Sequence, residues 1–275
     1  MRVGDIEIIP VHDGQAKIPA SDAFRLGGVA PNGTGGTESD WSPHREFLDA
    51  DGNLTFAMGG FLIRGAGDRL ALVDAGVGPI TVGPFEGGAL LESLAAMGHR
   101  PEDITDVLFT HLHFDHVGWS TQQGSVVFPN ATYRCDARDW AHFMGDDHHA
   151  GDAGAQKKLA PIADRIEPWE ASETLFTGVD VRSAPGHTPG STIVVVSQGA
   201  ERAMLLGDVV HCPVELLDDE WATMGDVDPA LAKRTRIALA KELEGADVPV
   251  AAAHFEGLVF GRLLSAAGRR QWVVP

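Results

Sequence analysis

The sequence has few cysteines and few basic residues, and each shortage excludes a class of protein. Its 275 residues include only Cys135 and Cys212, too few for a disulfide scaffold, so we expect two free thiols and a reducing, cytoplasmic location. Lys and Arg total 21 against 39 Asp and Glu, a formal net charge of −18. Because nucleic acids and anionic membrane surfaces both select basic proteins, we expect neither as a partner.

Several recognisable segments are also missing from the sequence. Asp5 and Glu7 interrupt the apolar start of the chain, so we expect no signal peptide. The most apolar late stretch, residues 248–264, contains polar and charged side chains and is not expected to span a bilayer. There is no G-x-S-x-G serine elbow, and the glycine-rich run at 27–36 lacks the strand-to-helix setting of a dinucleotide site.

Alternating strand and helix patterns predict an α/β fold, built as a single domain over residues 1–275. Strands are predicted at 6–11, 61–64, 70–74, 104–110, 131–135, 179–183, 191–197, 203–206 and 248–253. Helices are predicted at 87–98, 136–143 and 156–165, from Pro229 to Gly245 with Asp228 as the cap, and at 259–267.

Residues 20–55 differ from the rest of the chain. They are rich in Gly, Pro, Asp and Ser and show neither a helical nor a strand period. They also carry Phe24, Trp41 and Phe47, which is more apolar weight than a linker usually holds. We interpret the segment as an irregular lid or pocket loop.

The densest motif is His111-Leu112-His113-Phe114-Asp115-His116, which begins where an apolar strand ends. His111 and His113 would point to one side of an extended backbone, and the following turn would bring Asp115 and His116 to a neighbouring point. Imidazole and carboxylate groups are ligands that zinc accepts, and four of them in six residues suit two adjacent cations better than one.

Three further ligand-type residues follow predicted strands. His187 lies in APGHTPG, Asp208 follows the strand MLLG, and His254 follows VAAA. Strand ends on a rigid sheet are where α/β proteins place functional side chains. A surface cluster is the alternative for the first motif taken alone.

The order H-x-H-x-D-H, Gly-His, Gly-Asp and His, with Asp74 in LVDAG upstream, resembles the metallo-β-lactamase superfamily. The segments THLHFDH and APGHTPGS are most similar to its quorum-quenching N-acyl-homoserine lactonase branch, whose neighbours include methyl-parathion-hydrolase-like enzymes. The resemblance runs from about residue 58 to about residue 257. It implies a four-layer αβ/βα sandwich with the metals at one edge of the two sheets.

The same resemblance implies two zinc ions per chain and a role for each ligand. The first zinc would be held by His111, His113 and His187, the second by Asp115, His116 and His254, with Asp208 bridging both. A hydroxide shared by two metals is a nucleophile at neutral pH. Asp208 and Asp115 are therefore candidate catalytic residues as well as ligands, and Asp208 or a nearby group would pass a proton to the leaving alkoxide. Asp74 would orient a ligand imidazole.

One position departs from the lactonase pattern. That branch has a tyrosine three residues after the bridging Asp, whereas this chain has His211, and its one tyrosine is Tyr133. His211 is a third candidate catalytic residue, because an imidazole can donate a hydrogen bond or shuttle a proton. A histidine packed under a loop is the alternative. The adjacent Cys212 is not expected to be a nucleophile, because neighbouring side chains in extended backbone point apart.

The predicted function is therefore dinuclear zinc hydrolysis of a carboxylic ester in a small molecule, with a lactone favoured. The alternatives are a phosphotriester hydrolase or a glyoxalase-II-like thioesterase on the same site, a mononuclear iron persulfide oxygenase, and a non-catalytic metal-binding protein. Monomer and homodimer both stay open. As a group, ten apolar side chains are candidates for the pocket wall, although for any single one a place in the core is favoured: Phe24, Trp41, Phe47, Met58, Phe114, Trp119, Leu216, Leu217, Trp221 and Met224.

Overall fold

The computed structural model describes residues 1–26, 36–145, 153–223, 225–266 and 268–275. In that part of the chain the strands are, in order, β1 (Arg2–Val3), β2 (Ile6–Pro19), β3 (Phe24–Leu26), β4 (Asn53–Ala66), β5 (Arg69–Val73), β6 (Thr81–Val82), β7 (Phe85–Glu86), β8 (Asp106–Leu108), β9 (Thr121–Gln122), β10 (Ser125–Val126), β11 (Thr132–Arg134), β12 (Glu173–Phe176), β13 (Val179–Ser183), β14 (Thr192–Gln198), β15 (Glu201–Leu205), β16 (Trp221–Thr223), β17 (Val250–Ala251), β18 (Arg262–Ala266) and β19 (Arg269–Val273).

The α-helices of the same residues are mostly short. In order they are α1 (Ala20–Ala23), α2 (Glu38–Trp41), α3 (Leu90–Ala96), α4 (Ala137–Met144), α5 (Ala153–Leu159), α6 (Val214–Leu217) and α7 (Pro229–Ala246). Asp228 caps α7, because its side chain accepts a hydrogen bond from the Leu231 amide at 2.9 Å. No helix in the described ranges is long and apolar enough to cross a membrane.

Two sheets form the body of the molecule. The first runs in the order β11-β8-β5-β4-β2-β7-β6, with β1 paired to β2. The second runs β12-β13-β14-β15-β17. Most neighbours are antiparallel, including the hairpin of β4 and β5, but β5–β8, β8–β11 and β15–β17 are parallel. These parallel pairs matter because they bring the carboxyl ends of neighbouring strands to the same edge.

Side chains of the first sheet alternate between two cores. In β4, Leu62 faces a core shared with Leu90 and Leu94 of α3, while Ile63 faces the second sheet. On its far face the second sheet shares another core with Leu239 and Leu243 of α7. The order is thus helix, sheet, sheet, helix, which is the predicted four-layer α/β sandwich.

The C-terminal prediction was wrong. Residues 259–267 were expected to be helical, but β18 and β19 form an antiparallel hairpin in which Leu263 pairs with Trp272. Trp272 packs edge-on against Phe255, with ring centroids 5.2 Å apart. A Cβ at Gly261 would lie 2.2 Å from the Trp272 ring, so this backbone approaches the indole more closely than other residues permit.

Residues 36–55 contain more regular structure than the composition predicted. They include α2, a 3₁₀ helix at Ser42–Phe47 and the start of β4. Trp41 is buried, and its ring lies 4.5 Å from that of Trp221 and 6.0 Å from that of Phe24. Most of the glycine-rich run, at 27–35, lies outside the described residues.

Candidate metal centre

The predicted ligands follow strands of both sheets. Strands β5 and β8 are parallel neighbours; Asp74 directly follows β5, and His111 comes shortly after β8. Likewise Asp208 comes after β15 and His254 after its parallel neighbour β17. The facing edges of the two sheets therefore present these side chains to each other.

Two glycines let the chain place a candidate ligand next to a packed backbone. Gly186, just before His187, has φ +139°, and a Cβ there would lie 2.3 Å from the Ala232 nitrogen. Gly207, just before Asp208, has φ +53°, and a Cβ there would lie 2.6 Å from Thr110. Both dihedral angles favour glycine, which explains the Gly-His and Gly-Asp pairs of the sequence.

The first group of ligand atoms consists of three imidazole nitrogens. His111 Nε2 lies 2.9 Å from His113 Nδ1, and His187 Nε2 lies 3.0 Å from the same Nδ1. Ligand atoms of a tetrahedral zinc are about 3.3 Å apart at ordinary Zn–N bond lengths. The three nitrogens are therefore spaced much as one cation requires.

The second group consists of Asp115, His116 and His254, whose ligand atoms lie within 4.8 Å of one another. Asp208 lies between the two groups. Its Oδ2 is 3.1 Å from His254 Nε2 and 3.5 Å from His187 Nε2, and its Oδ1 is 3.2 Å from His116 Nε2. The structure thus brings all seven predicted ligands into one cluster, with Asp208 at its centre.

The buried polar atoms of this cluster fit a pair of cations. Among the described residues, His116 Nε2 and Asp208 Oδ1 are buried with no hydrogen-bond partner. Leaving such atoms unpaired is costly, so they indicate a missing electrophile. A bound divalent ion would satisfy both.

The surrounding imidazoles are oriented by hydrogen bonds from their other nitrogen. His116 Nδ1 donates to Asp74 Oδ2 at 2.9 Å, and Asp74 also accepts from the Thr110 amide and hydroxyl, each at 2.8 Å. His254 Nδ1 donates to the Ala57 carbonyl oxygen at 3.0 Å, and His187 Nδ1 donates to Asp226 Oδ1 at 3.2 Å. In all three residues Nε2 is left free to bind a cation, and Asp74 has the orienting position that the sequence predicted.

Burial and neighbouring charges shift the pKa values of the cluster in opposite directions. Burial, reinforced by neighbouring imidazoles, lowers the pKa values of His111 and His113 well below the usual histidine value, and burial also lowers that of His187. Burial alone would raise the pKa of Asp208, but the imidazoles around it outweigh burial and hold that pKa well below its usual value. The carboxylates of Asp208, Asp74 and Asp115 outweigh burial and raise the pKa of His116 well above the usual histidine value, so a cation bound there would displace a proton.

Asp139 joins the two loops that carry the first group. The fully buried carboxylate accepts hydrogen bonds from the Leu112 amide at 3.2 Å, the Thr188 hydroxyl at 2.9 Å and the Gly190 amide at 2.6 Å. Burial raises the pKa of Asp139 to about 7, against the effect of these hydrogen bonds.

The raised pKa of Asp139 predicts a pH-dependent contribution to stability. The folded protein holds this proton above pH 3.8, where the unfolded chain has lost it, so the unfolding free energy should fall as pH rises towards 7. The full difference amounts to about 4 kcal/mol. We expect denaturant titrations to show that the unfolding free energy of Asp139→Asn lacks this decline. The substitution can also lower the unfolding free energy by an amount that does not depend on pH. Parallel stability curves for both proteins from pH 4 to pH 7 would contradict the assignment.

His211 lies beside Asp208, with its Nε2 3.2 Å from Asp208 Oδ2. Burial alone would lower the pKa of His211, but Asp208 and Glu215 raise it to about 10. Its ligand atom also groups with those of His187 and Asp208 within 4.8 Å. Cys212 is buried, which raises its pKa and disfavours the nucleophilic thiolate, in agreement with the sequence prediction.

A cavity of about 620 Å³ opens onto the cluster. Its inner end is lined by five of the predicted ligands and by His211. Its walls are largely apolar: Ile18, Ala23, Phe56, Met58, Phe85, Phe114, Phe143 and Val227. Among the described lining residues there is no Lys or Arg, and Asp22 is the one carboxylate outside the cluster.

Most of the aromatic residues predicted to line this pocket lie elsewhere. Met58 and Phe114 do line it, but Phe24, Trp41, Trp119, Leu216 and Trp221 are buried in the cores. Phe47 and Leu217 also lie outside the lining, and Met224 is outside the described residues. For Phe24, Trp41 and Trp221 the difference arises because the three rings pack against one another inside a core, with at most 2% of each residue exposed.

The sequence analysis missed several buried polar residues near the centre. Asp139, Glu215 and Asp226 contact loops or side chains of the cluster, and Arg236 contacts Glu215 and Asp226. No motif marks them, and charged residues on a helix such as α7 ordinarily face solvent. His142 also lines the cavity, although it has no partner at ligand spacing in the sequence.

Comparison with known proteins supports the fold. The mouse "Metallo-beta-lactamase domain-containing protein 1" is 32% identical over 177 residues, covering 62% of this chain and 58% of that relative. The N-acyl homoserine lactonase of Bacillus thuringiensis is 25% identical over 157 residues, covering 56% of this chain and 58% of the lactonase. The matches therefore span less than two thirds of either relative.

Solved structures match over the whole chain. AbOPH, a hydrolase in the beta lactamase superfamily, has a TM-score of 0.86 at 24% identity, covering 100% of this chain and 96% of AbOPH. AidC, a dizinc quorum-quenching lactonase, has a TM-score of 0.84 at 25% identity, with the same coverage. The profile of the metallo-beta-lactamase superfamily matches residues 60–254, which is more than half of the chain. The chain belongs to the metallo-beta-lactamase superfamily.

Proposed function

We propose that this protein is a dinuclear zinc hydrolase that cleaves a carboxylic ester, with a lactone as its preferred substrate. The observation that carries the proposal is the position of Asp208, within 3.1–3.5 Å of imidazole nitrogens from both ligand groups. The similarity to AidC, described as a dizinc lactonase, supports the choice of metal and bond. His111, His113 and His187 would hold one ion, and Asp115, His116 and His254 the other.

The chain's own residues would then perform defined tasks. When bound, two adjacent divalent ions supply Lewis acidity that lowers the pKa of water and polarises a carbonyl oxygen. Asp208, with its Oδ1 free of protein hydrogen bonds, can accept a proton and pass it to the leaving alkoxide. His211 Nε2 lies 3.2 Å from the other carboxylate oxygen of Asp208, Oδ2, and can donate a hydrogen bond to the carbonyl oxygen of the substrate. Asp115 is at the cavity surface and can assist the same proton transfer.

The cavity wall favours an uncharged substrate with an apolar tail. Eight apolar side chains line it, and none of its described lining residues is basic. An anionic substrate, such as a glutathione thioester or a β-lactam with its carboxylate, would therefore find no Lys or Arg along the described walls to pair with. Lining residues Asp22 and Ala23 come from the segment 20–55, which supports its role as a pocket wall within a single domain.

A phosphotriester hydrolase is the second candidate. It would use the same centre and the same apolar walls, because neutral phosphotriesters also carry no charge. Structural similarity to AbOPH extends over the whole chain, but at 24% identity it carries the fold alone.

The proposal is tested by metal analysis combined with a substrate panel. We expect two zinc ions per chain and a kcat/KM for N-acyl homoserine lactones at least about 10-fold above those for a neutral phosphotriester and a glutathione thioester. A preference for the phosphotriester would favour the second candidate. One iron per chain, or two zinc ions without hydrolysis of any of the three, would contradict the proposal.

His211 is expected to contribute through its hydrogen bond. Replacing His211 with alanine should lower kcat for the lactone by about 10²-fold, since that is the size of effect of a positioned proton donor, and His211→Tyr should restore part of the rate. His99→Ala, at a histidine outside the cavity lining, serves as the control. Full turnover by His211→Ala across the pH profile would exclude the role.

A further inference from the structure

A chain of three buried charged residues lies behind the metal centre. Arg236, on α7, donates from both terminal nitrogens to Asp226 Oδ2 at 3.1 Å. Its Nε lies 3.4 Å from Glu215 Oε1, on α6. All three side chains are at least 97% buried. We refer to Glu215, Arg236 and Asp226 as the buried charge chain.

Each end of the buried charge chain contacts a histidine of the centre. At one end Asp226 Oδ1 accepts a hydrogen bond from His187 Nδ1 at 3.2 Å. At the other end Glu215 Oε2 accepts from the His211 backbone amide at 2.6 Å and lies 3.6 Å from His211 Nδ1. Both imidazoles therefore turn Nδ1 towards a carboxylate and Nε2 towards Asp208, at 3.5 Å and 3.2 Å.

Stability alone does not account for this arrangement. Taking three ions out of water costs several kcal/mol for each, and apolar residues of the same volume often replace buried ion pairs without loss. Arginine suits the middle position because its planar guanidinium can hydrogen-bond Asp226 with its two terminal nitrogens while its Nε stays in ion-pair contact with Glu215. What the three residues add is a fixed direction for both histidines.

The formal charges around the centre point the same way. The buried carboxylates Asp74, Asp115, Asp208, Asp226 and Glu215 carry five negative charges, and Arg236 carries one positive charge. These charges leave an excess of negative charge at the centre, which favours the binding of cations. The buried charge chain is thus part of the balance that a dinuclear centre requires.

We propose that the buried charge chain Glu215–Arg236–Asp226 is a positioning device that holds His187 and His211 as one unit facing Asp208. Asp226 fixes the imidazole that binds the first ion, Glu215 fixes the one that contacts the substrate, and Arg236 couples them. The proposal rests on the metal centre of the proposed function but is independent of the substrate cleaved.

Metal affinity is the first test, because it does not require a substrate. We expect Asp226→Asn to weaken zinc binding at one site by about 10- to 100-fold in a competition with a chromogenic chelator, as loss of a carboxylate behind a ligand imidazole does. Glu215→Gln should leave zinc affinity within about 3-fold but lower kcat on the hydrolysed ester without raising KM. A merely structural role would move neither quantity selectively.

Coupling through Arg236 is the second test. Arg236→Met should produce both defects together, and Arg236→Lys, which keeps the charge but not the fork, should restore at most one of them. The double variant Asp226→Asn/Arg236→Met should bind zinc no more weakly than the worse single variant, because residues acting as a unit are not additive. If Arg236→Met does not fold, the pair Glu215→Gln and Asp226→Asn provides the same comparison.

Arg182→Met is the matched control, because Arg182 also pairs with a carboxylate of α7, Glu242, but on the surface. It should leave zinc affinity and kcat unchanged. The proposal is overturned if Asp226→Asn and Arg236→Met bind both zinc ions as tightly as the wild type and differ from it only in melting temperature. If the wild-type protein binds two zinc ions but cleaves none of the esters, the proposed function is wrong. The zinc-affinity test of the buried charge chain would still be valid in that case.

Discussion

Replacing Asp208 with asparagine is expected to lower kcat/KM for the hydrolysed ester by on the order of 10³-fold or more. The amide keeps the size of the side chain but has one neutral oxygen where the carboxylate has two charged ones. Since Asp208 lies within 3.5 Å of imidazoles from both ligand groups, its loss would affect both of the proposed ions at once. Inductively coupled plasma analysis should find at most one zinc per chain.

A surface aspartate provides the control for this variant. Asp68 is exposed at the turn between β4 and β5, so Asp68→Asn removes the same charge away from the centre. It should retain two zinc ions and full activity. Two tightly bound zinc ions in Asp208→Asn, with turnover within about 10-fold of the wild type, would show that Asp208 does not bridge.

Removing the metal is expected to destabilise the whole protein. The buried carboxylates of the centre outnumber its one guanidinium, so repulsion between them would be less compensated without bound cations. A ligand present at about 10³ times its dissociation constant contributes about 4 kcal/mol to stability. For a chain of 275 residues this corresponds to a fall in melting temperature of roughly 10 °C when a chelator strips the protein.

Calorimetry with and without chelator measures the effect, and added zinc should reverse it. The Asp208→Asn variant should show a smaller fall on chelation, because it has less metal to lose. An unchanged melting temperature in wild-type protein verified to be free of metal would mean that the buried charges are neutralised in another way.

The sequence was informative about the centre because ligand chemistry there is local. His111, His113, Asp115 and His116 lie in one short segment, and each remaining ligand follows a glycine or a strand end. The short apolar runs at 61–64 and 70–74 similarly indicated two strands, which the structure has as parts of β4 and β5. These signals depend on a few neighbouring residues and need no knowledge of tertiary contacts.

The residues that orient the ligands could not be found in this way. Arg236 is 10 positions from Asp226 and 21 positions from Glu215 in the sequence. Only the packing of the folded chain brings these three side chains together. The C-terminal hairpin was missed for a related reason. Its stability depends on the contact of Trp272 with Phe255 and Gly261, which no local pattern of residues 259–267 reveals.

Two of the three parallel strand pairs, β5–β8 and β15–β17, limit where insertions and deletions can be accepted. Slipping either pair by one residue would move Asp74 or His254 by about 3.3 Å relative to its neighbour and turn its side chain to the opposite face. An insertion or deletion inside these few residues should therefore be intolerable even where every ligand is kept. The hairpin of β18 and β19 holds no ligand, so its length has no comparable constraint.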